Sequence, residues 1–195
     1  MSRNLKLFFK YIYFNIPHFF LNQSKKGNHN FSLVLTKPTL YYTSLHLRFS
    51  SIFYLTQLVD IFAYENPVDN NNHSISGFHL SFLKKSSESC VVYNFHNLLF
   101  QDRYFLFAID YLSENSNNQL NSIAELFPNS SWLEREVSEL HGIIFNNKKD
   151  LRNLMLQYGD TTVPFQKSSP SIGYKEIYYD SVSDILIETP ITLQA

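Results

Sequence analysis

A single cysteine, Cys90, stands in this chain of 195 residues. One thiol cannot close an internal disulfide, nor can it build a cysteine-based zinc or iron–sulfur site alone. It lies in the apolar run SCVVY and reads as a buried free thiol. Glycine is nearly as scarce, at five scattered residues, and a phosphate-cradling loop needs glycines close together. Neither the G-x-S-x-G turn of a serine nucleophile nor the HExxH pair of a zinc protease occurs. Long apolar runs are missing too. In the N-terminal MSRNLKLFFKYIYFNIPHFFL, Lys6 and Lys10 leave only residues 11–21 uncharged and Pro17 interrupts them, whereas a membrane-spanning helix needs about 20 apolar residues. An excess of charge is the last absence: the formal net charge of −1 argues against a general nucleic-acid binder.

What is plentiful is ring-bearing residue, 18 Phe and 13 Tyr, with frequent Asn and Lys. These residue types have A/T-rich codons, so part of the bias is read as genome composition and points to an A/T-biased source such as an organelle genome. An apolar fraction of 44% and this length fit one domain with a real core. Residues 1–30 read as an N-terminal aromatic arm followed by a polar linker at 22–30, the arm docking on a partner or on its own domain.

The pattern predicts a strand at 31–36 and a helix opened by Pro38 and running to about Phe49. Residues 53–64 read as a buried strand, with helix as the alternative. Three further strands, at 77–83, 90–98 and 103–111, form an antiparallel set, the last two joined by a turn at Gln101-Asp102. Residues 112–121 read as a polar loop. Ser122, with Glu125 in capping-box spacing, predicts a short helix ended by Pro128. The next helix is capped by Ser130 or Ser131 and closes at His141 with Gly142 as C-cap. A short helix at 150–158 then precedes Gly159. Beyond it Pro164, Pro170 and Gly173 punctuate an extended tail with one strand at 176–179. Helices and antiparallel strands in separate blocks argue for an α+β fold with helices on one side of an antiparallel or mixed sheet. The domain spans 31–159, and the tail, 160–195, wraps a partner.

The densest chemistry is WLEREVSELHGIIFNNKKDLRNLMLQY, residues 132–158. Glu134, Arg135, Glu136 and Glu139 share a helix, and Lys148, Asp150 and Arg152 follow, in a chain only 17% charged. Arg135 and Glu139 are four apart and can pair. Glu134 and Glu136 point to opposite sides, and His141 faces away from Glu139, so a small metal-dependent hydrolase built on Glu134, Glu136, Glu139 and His141 is the disfavoured alternative. A solvated helix face is the plain reading, and an interface with fixed partners the favoured one. Tyr93, Phe95, Tyr104, Phe105 and Phe107 would suit an organellar RNA-binding sheet, but Arg103 is the main cation beside them, so core packing is the stronger reading there. His96, between Phe95 and Asn97 in a strand, reads as a structural histidine.

These residues resemble the NADH dehydrogenase subunit 9 family, the mitochondrion-encoded branch of the C-type subunits of respiratory complex I. The resemblance rests on Glu134-Arg135-Glu136, Glu139, Leu140, Lys148, Arg152, Leu154 and Leu156. Leu126-Phe127-Pro128 and Trp132 lie upstream; Gly142-Ile143, Phe145, Asp150-Leu151-Arg152 and Tyr158-Gly159 lie downstream. Pro164, Lys167, Pro170, Gly173-Tyr174, Glu176, Tyr179-Asp180 and Glu188-x-Pro190 continue the family order. Three departures stand out. His141 occupies a position that is large and apolar or aromatic in the family, Gln166-Lys167-Ser168-Ser169-Pro170 replaces Arg-Lys-Asp-Phe-Pro, and Gly159-Asp160 replaces Gly-Phe.

The resemblance implies a non-redox scaffold subunit in the matrix-facing arm of mitochondrial NADH:ubiquinone oxidoreductase. The whole enzyme uses FMN, iron–sulfur clusters and ubiquinone and translocates protons. This chain would bind no cofactor or metal, have no catalytic centre of its own and no transmembrane segment, and would touch chiefly the large quinone-site subunit. The residues implied at its contacts are Glu134, Arg135, Glu136, Glu139, Gly142, Lys148, Asp150, Arg152, Tyr158, Pro164, Lys167 and Pro170.

Overall fold

A computed structural model of the chain describes residues 20–26, 30–35, 37–53, 55–66, 88–99, 101–111 and 119–191. Strands β1 (Phe20–Lys26), β2 (Asn30–Leu35), β3 (Thr56–Asn66), β4 (Glu88–Asn97) and β5 (Asp102–Tyr111) form one sheet in the order β1-β2-β5-β4-β3. β2 runs parallel to β5 and the other neighbours are antiparallel, so the sheet is mixed and the fold α+β. Two α-helices are described, α1 (Lys37–Phe49) and α2 (Ser130–His141). The expected strand at 77–83 lies outside the described residues.

Alternation sorts the sheet into two faces. Leu33, Leu35, Val91, Tyr93, Phe95, Tyr104, Leu106 and Ala108 point to one face and join Leu40 and Leu47 of α1 and Val137 of α2 in the main core. Val34, Cys90 and Val92 point to the other, packed with Tyr64, Phe105 and Phe107. Leu58 and Ile61 of β3 both face the main core although three residues apart. The register shift between Leu58 and Asp60 makes this possible, since one extra residue in a bulge restores the inward side. Both helices therefore lie on one side of the sheet, and Cys90 is buried and in no disulfide.

Helix α1 begins where its proline predicts: a proline in the first turn forfeits no intrahelical hydrogen bond. Its buried Leu40, Thr43, Ser44 and Leu47 recur at helical spacing and form the packed stripe. For the run expected as strand or helix at 53–64, β3 (Thr56–Asn66) decides in favour of strand, with Ser51–Phe53 forming a 3-10 turn before it. The β4–β5 hairpin turns through Leu98 and Leu99, where the Leu99 N–H donates to Asn97 Oδ1 at 2.9 Å, and Gln101 takes φ 54°.

Several expectations are overturned. Residues 22–26, which have the composition of a linker, lie in edge strand β1; backbone pairing does not require apolar side chains, and polar edges are common. Leu120–Asn121 forms the short strand β6, paired in parallel with β7 (Phe145–Asn146), in place of the expected loop. At 122–127 only a single turn closes, the Leu126 and Phe127 N–H groups donating to the Ile123 carbonyl at 3.0 and 2.9 Å, while the Ser122 hydroxyl and the Ile123 N–H are bound by Glu134. No helix forms at 150–158; its backbone groups are taken by Arg135 and Glu139, as described below. Neither Ser130 nor Ser131 caps α2. Asn129 holds the cap position without a capping side-chain bond, and its Nδ2 donates to the Leu58 carbonyl at the β3 bulge at 2.8 Å. The strand expected at 176–179 does form, as β8 (Lys175–Asp180), and it gains an antiparallel partner in β9 (Ile185–Pro190) to make a hairpin.

Candidate functional site

Helix α2 turns its charged residues inward. Glu134 is fully buried, and its carboxylate accepts from the Ser122 hydroxyl at 2.6 Å and the Ile123 N–H at 2.9 Å. Lys148 Nζ, whose side chain is 2% exposed, stands 3.6 Å from Glu134 Oε2 and over the Phe145 ring at 5.5 Å. Burial pushes the Glu134 pKa up against the pull of Ser122, Ile123 and Lys148. Burial likewise pushes Lys148 down, against the pull of Glu134. The pair is thus a desolvated one, costly to break by removing a single partner.

One residue along, Arg135 reaches the segment after β7. Its Nε donates to the Arg152 carbonyl at 2.8 Å and an Nη to the Asn153 carbonyl at 3.2 Å. Its other Nη lies 3.6 Å from Asp150 Oδ2, and Trp132 stacks beneath at 5.6 Å. Asp150 in turn accepts from Nε, one Nη and the backbone N–H of Arg152, which hold its carboxyl well below the usual carboxylate range.

One turn further on, the Glu139 carboxylate accepts the N–H groups of Leu154, Met155 and Leu156, the last two at 2.8 and 3.0 Å. Burial acts to raise this carboxyl, but the three amides and then Arg135 outweigh it and hold it low. Donors spent on Glu139 cannot close a helix, and carbonyls spent on Arg135 cannot accept in one. This competition is why 150–158 is irregular.

The helix ends on Gly142 at φ 72°, its N–H returning to the Ser138 carbonyl at 2.9 Å. A Cβ there would lie 3.2 Å from Gln166 Nε2 and 3.4 Å from Val163. The chain after 160 crosses this corner: the Phe165 N–H donates to the Leu140 carbonyl at 3.0 Å and Gln166 Nε2 to the His141 carbonyl at 3.2 Å. Arg135, Ser138, Glu139, Lys148, Arg152 and Thr162 are among the residues lining a cleft of about 200 Å³ between α2 and this returning segment.

Six of the residues singled out in the sequence, Glu134, Arg135, Glu139, Lys148, Asp150 and Arg152, therefore meet in one hub, and Gly142 seats the returning segment beside it. Glu136 is half-buried on α2 away from these bonds. Tyr158, Pro164, Lys167 and Pro170 lie on the surface, although the Lys167 N–H donates to Glu65 Oε2 at 2.9 Å. Ser122, Asn129 and Glu65 make bonds that fasten these segments together, and sequence reasoning misses them in that role. The local signal at Ser122 is that of a helix cap, and nothing near Glu65 in the chain marks it.

The hydrolase arrangement is not formed: Glu134 and Glu139 hold separate backbone segments, His141 packs edge-on to Phe165 at 5.5 Å, and among the described residues no three His, Cys, Asp or Glu side chains are grouped to hold a metal. The aromatic platform is split as well, with Tyr93, Phe95 and Tyr104 buried in the main core and Phe105 and Phe107 on the opposite face.

Residues 36–175 match the family described as respiratory-chain NADH dehydrogenase, 30 Kd subunit. NADH-ubiquinone oxidoreductase subunit 9 of Paramecium primaurelia is 35% identical over 106 residues, 54% of this chain and 47% of that one. The C-type subunit of NADH-quinone oxidoreductase from Neisseria meningitidis is 33% identical over 84 residues, covering 43% of each chain. Its counterpart from Rhodobacter capsulatus is 40% identical over 72 residues, 37% of this chain and 36% of the other. The matched stretch thus spans less than half the length of these curated relatives. A chain from the membrane-bound sulfane sulfur reductase, an archaeal respiratory membrane complex, superposes with TM-score 0.54 at 13% identity, over 75% of this chain and 73% of that one. That likeness is one of fold.

Proposed function

This chain belongs to the 30 kDa subunit family of the respiratory-chain NADH dehydrogenase, and from that premise we propose that it is a non-redox scaffold subunit of mitochondrial complex I. It sits in the matrix-facing arm, binds no flavin, cluster or quinone itself, and holds its neighbours, chiefly the large quinone-site subunit, in register. It contributes in this way to NADH:ubiquinone reduction and the coupled proton translocation. Its gene is organellar, in keeping with the A/T-leaning residue usage. No helix among the described residues is long and apolar enough to cross a membrane.

The observation that carries this reading is the surface beyond the hub. Ile172, Tyr174, Ile177, Tyr178, Tyr179, Val182, Ile185 and Leu186 are all at least 48% exposed. In the β8–β9 register, Ile177 and Tyr179 share a face with Leu186, while Tyr178 shares the other with Ile187, so both faces present apolar side chains to water. A two-stranded hairpin alone is marginal in water, and apolar surface of this extent marks a contact with another macromolecule. The hub fixes where the hairpin departs from the domain, and the hairpin supplies the adhesive surface.

The test is gentle detergent extraction of mitochondria, native gel separation and location of this chain by mass spectrometry. Co-migration with a very large band that oxidises NADH is expected. Recovery only as a small free protein would refute the scaffold reading.

A further inference from the structure

The histidine that closes α2 is also part of a joint. His141 is the last residue of that helix and is 8% exposed. Its ring meets the edge of Phe165 at 5.5 Å, its carbonyl accepts Gln166 Nε2, and the carbonyl before it accepts the Phe165 N–H. Two residues on from Phe165, the Lys167 N–H is bound by the carboxylate of Glu65, from the end of β3. Residues 163–169 are thus pinned to the domain at the foot of α2 and at the end of β3, and the imidazole lies between these points.

We infer that His141, Glu65 and residues 163–169 form an acid-sensitive clasp, in which a neutral His141 holds the start of the C-terminal segment on the domain and its protonation releases that segment. The sign follows from linkage. Burial lowers the imidazole pKa, and Glu65 only partly offsets this. A site that binds its proton less well when closed must open more readily when the proton is supplied. Lifting Phe165 away would return the ring to water. The charged groups around His141 allow this. From β3 the group is Glu65, whose carboxylate is bound to the Lys167 N–H while the clasp is closed. On α2, Glu139 is committed to the amides of 154–156. The returning segment sets uncharged Phe165 and Gln166 nearest the ring and carries Lys167 beyond. An imidazolium would also compete for Glu65, weakening the second pin. The clasp is internal to this chain and operates whether or not the subunit reading holds.

The experiment is amide hydrogen exchange on the full chain across about pH 8 to about pH 5, the range in which histidine titrates, corrected for the intrinsic pH dependence of exchange. Protection at Phe165 and Lys167 is expected to fall with acidification by up to about tenfold per pH unit, the limit for one linked proton, while Val91 in the core strand stays protected. In His141→Phe, which keeps a ring against Phe165, this pH dependence disappears. Protection at Phe165 and Lys167 that is independent of pH in the wild type, or that falls equally in His141→Phe, overturns the clasp. Should that variant not fold, titration of the His141 imidazole by NMR in the wild type decides. A midpoint that tracks the loss of protection supports the proposal, and one that does not track it refutes it.

Discussion

Removing the charge of Glu134 while leaving Lys148 in place tests the hub most directly. The two groups are 0% and 2% exposed and 3.6 Å apart. At an effective dielectric of about 20, Coulomb's law gives the pair roughly 4–5 kcal/mol of attraction. Desolvation of both ions cancels much of that, so the pair adds little net stability over an apolar replacement, yet stripping one partner leaves a buried charge at a cost of about 3–5 kcal/mol. Glu134→Gln keeps the volume and an acceptor for the Ile123 N–H, but strands the ammonium; we expect about 3 kcal/mol of destabilisation. Lys148→Met keeps an unbranched stem over Phe145. The remaining carboxyl retains Ser122 and Ile123 and, being already pushed up by burial, can take up a proton, so about 1–2 kcal/mol is expected. The double variant strands nothing and so costs less than Glu134→Gln alone. Urea unfolding followed by the fluorescence of the one tryptophan, Trp132, closes the cycle. A coupling energy near zero, with the single effects adding to within about 0.5 kcal/mol, would refute the claim that the two charges act as a unit.

Other consequences concern the joints around the hub. Gly142→Ala places a side chain at φ 72° and against Gln166 and Val163, and should lower unfolding free energy by about 1–2 kcal/mol; an unchanged denaturation midpoint would show that the corner relaxes freely. Because the folded-state pKa of Glu139 is depressed, its contribution to stability is present above the ordinary value of 4.5 and drains away as pH falls through the lowered one. Glu139→Gln should therefore flatten the acid limb of a stability–pH profile, and an unaltered limb would remove Glu139 from the account. Tyr178→Asp and Leu186→Asp change exposed positions, so the free chain should keep its thermal midpoint to within the shift expected of about 0.5 kcal/mol while the amount of assembled complex falls on a native gel. Normal assembly in both variants would remove the hairpin from the interface.

Periodicity carried the fold a long way. The alternation in Cys90 to Phe95 and Tyr104 to Ala108 names two faces of a sheet, and the Pro38 and Gly142 signals bracket the two helices closely. The failure at 150–158 has one cause. The run from Asp150 to Tyr158 has a sound local helical signal, but Glu139 and Arg135 lie 15 to 18 residues away from the groups they bind and outcompete the local pattern; after Ser122 the signal yields a single turn at 123–127. A charged side chain meeting backbone donors is worth more than the marginal propensity of a single helical turn. Such competition cannot be read from spacing, because it depends on which way α2 rolls against β3. The Val59 bulge and the Asn129 bond to Leu58 set that roll, and neither leaves a sequence signal.

The same geometry changes what the charged signature means. Read as a sequence, Glu134, Arg135 and Glu139 beside Lys148 and Arg152 look like a surface awaiting a partner of opposite charge. In the structure Glu134, Arg135, Glu139 and Lys148 are engaged within the chain, by amides, carbonyls or each other, and only Arg152, paired to Asp150, has a side chain largely in solvent, at 73% exposed. Glu134, Arg135 and Glu139, already hydrogen-bonded, have little more to give a neighbour, since each new contact would compete with an existing bond, and Lys148 is buried beside Glu134. On the proposed reading the adhesive surface falls instead to apolar residues after Tyr158, where Phe165, Tyr178, Val182 and Leu186 stand in water and no pattern of spacing marks them. The charge cluster is thus the fastening that lets a segment with little core of its own leave the domain in a fixed direction. Reversing Arg135 should accordingly disturb assembly by loosening 150–156 inside the chain, and increased amide exchange at Leu154 and Leu156 in the free Arg135→Glu protein, before any partner is added, is the expected sign. Impaired assembly with those amides still protected would instead make Arg135 a direct contact.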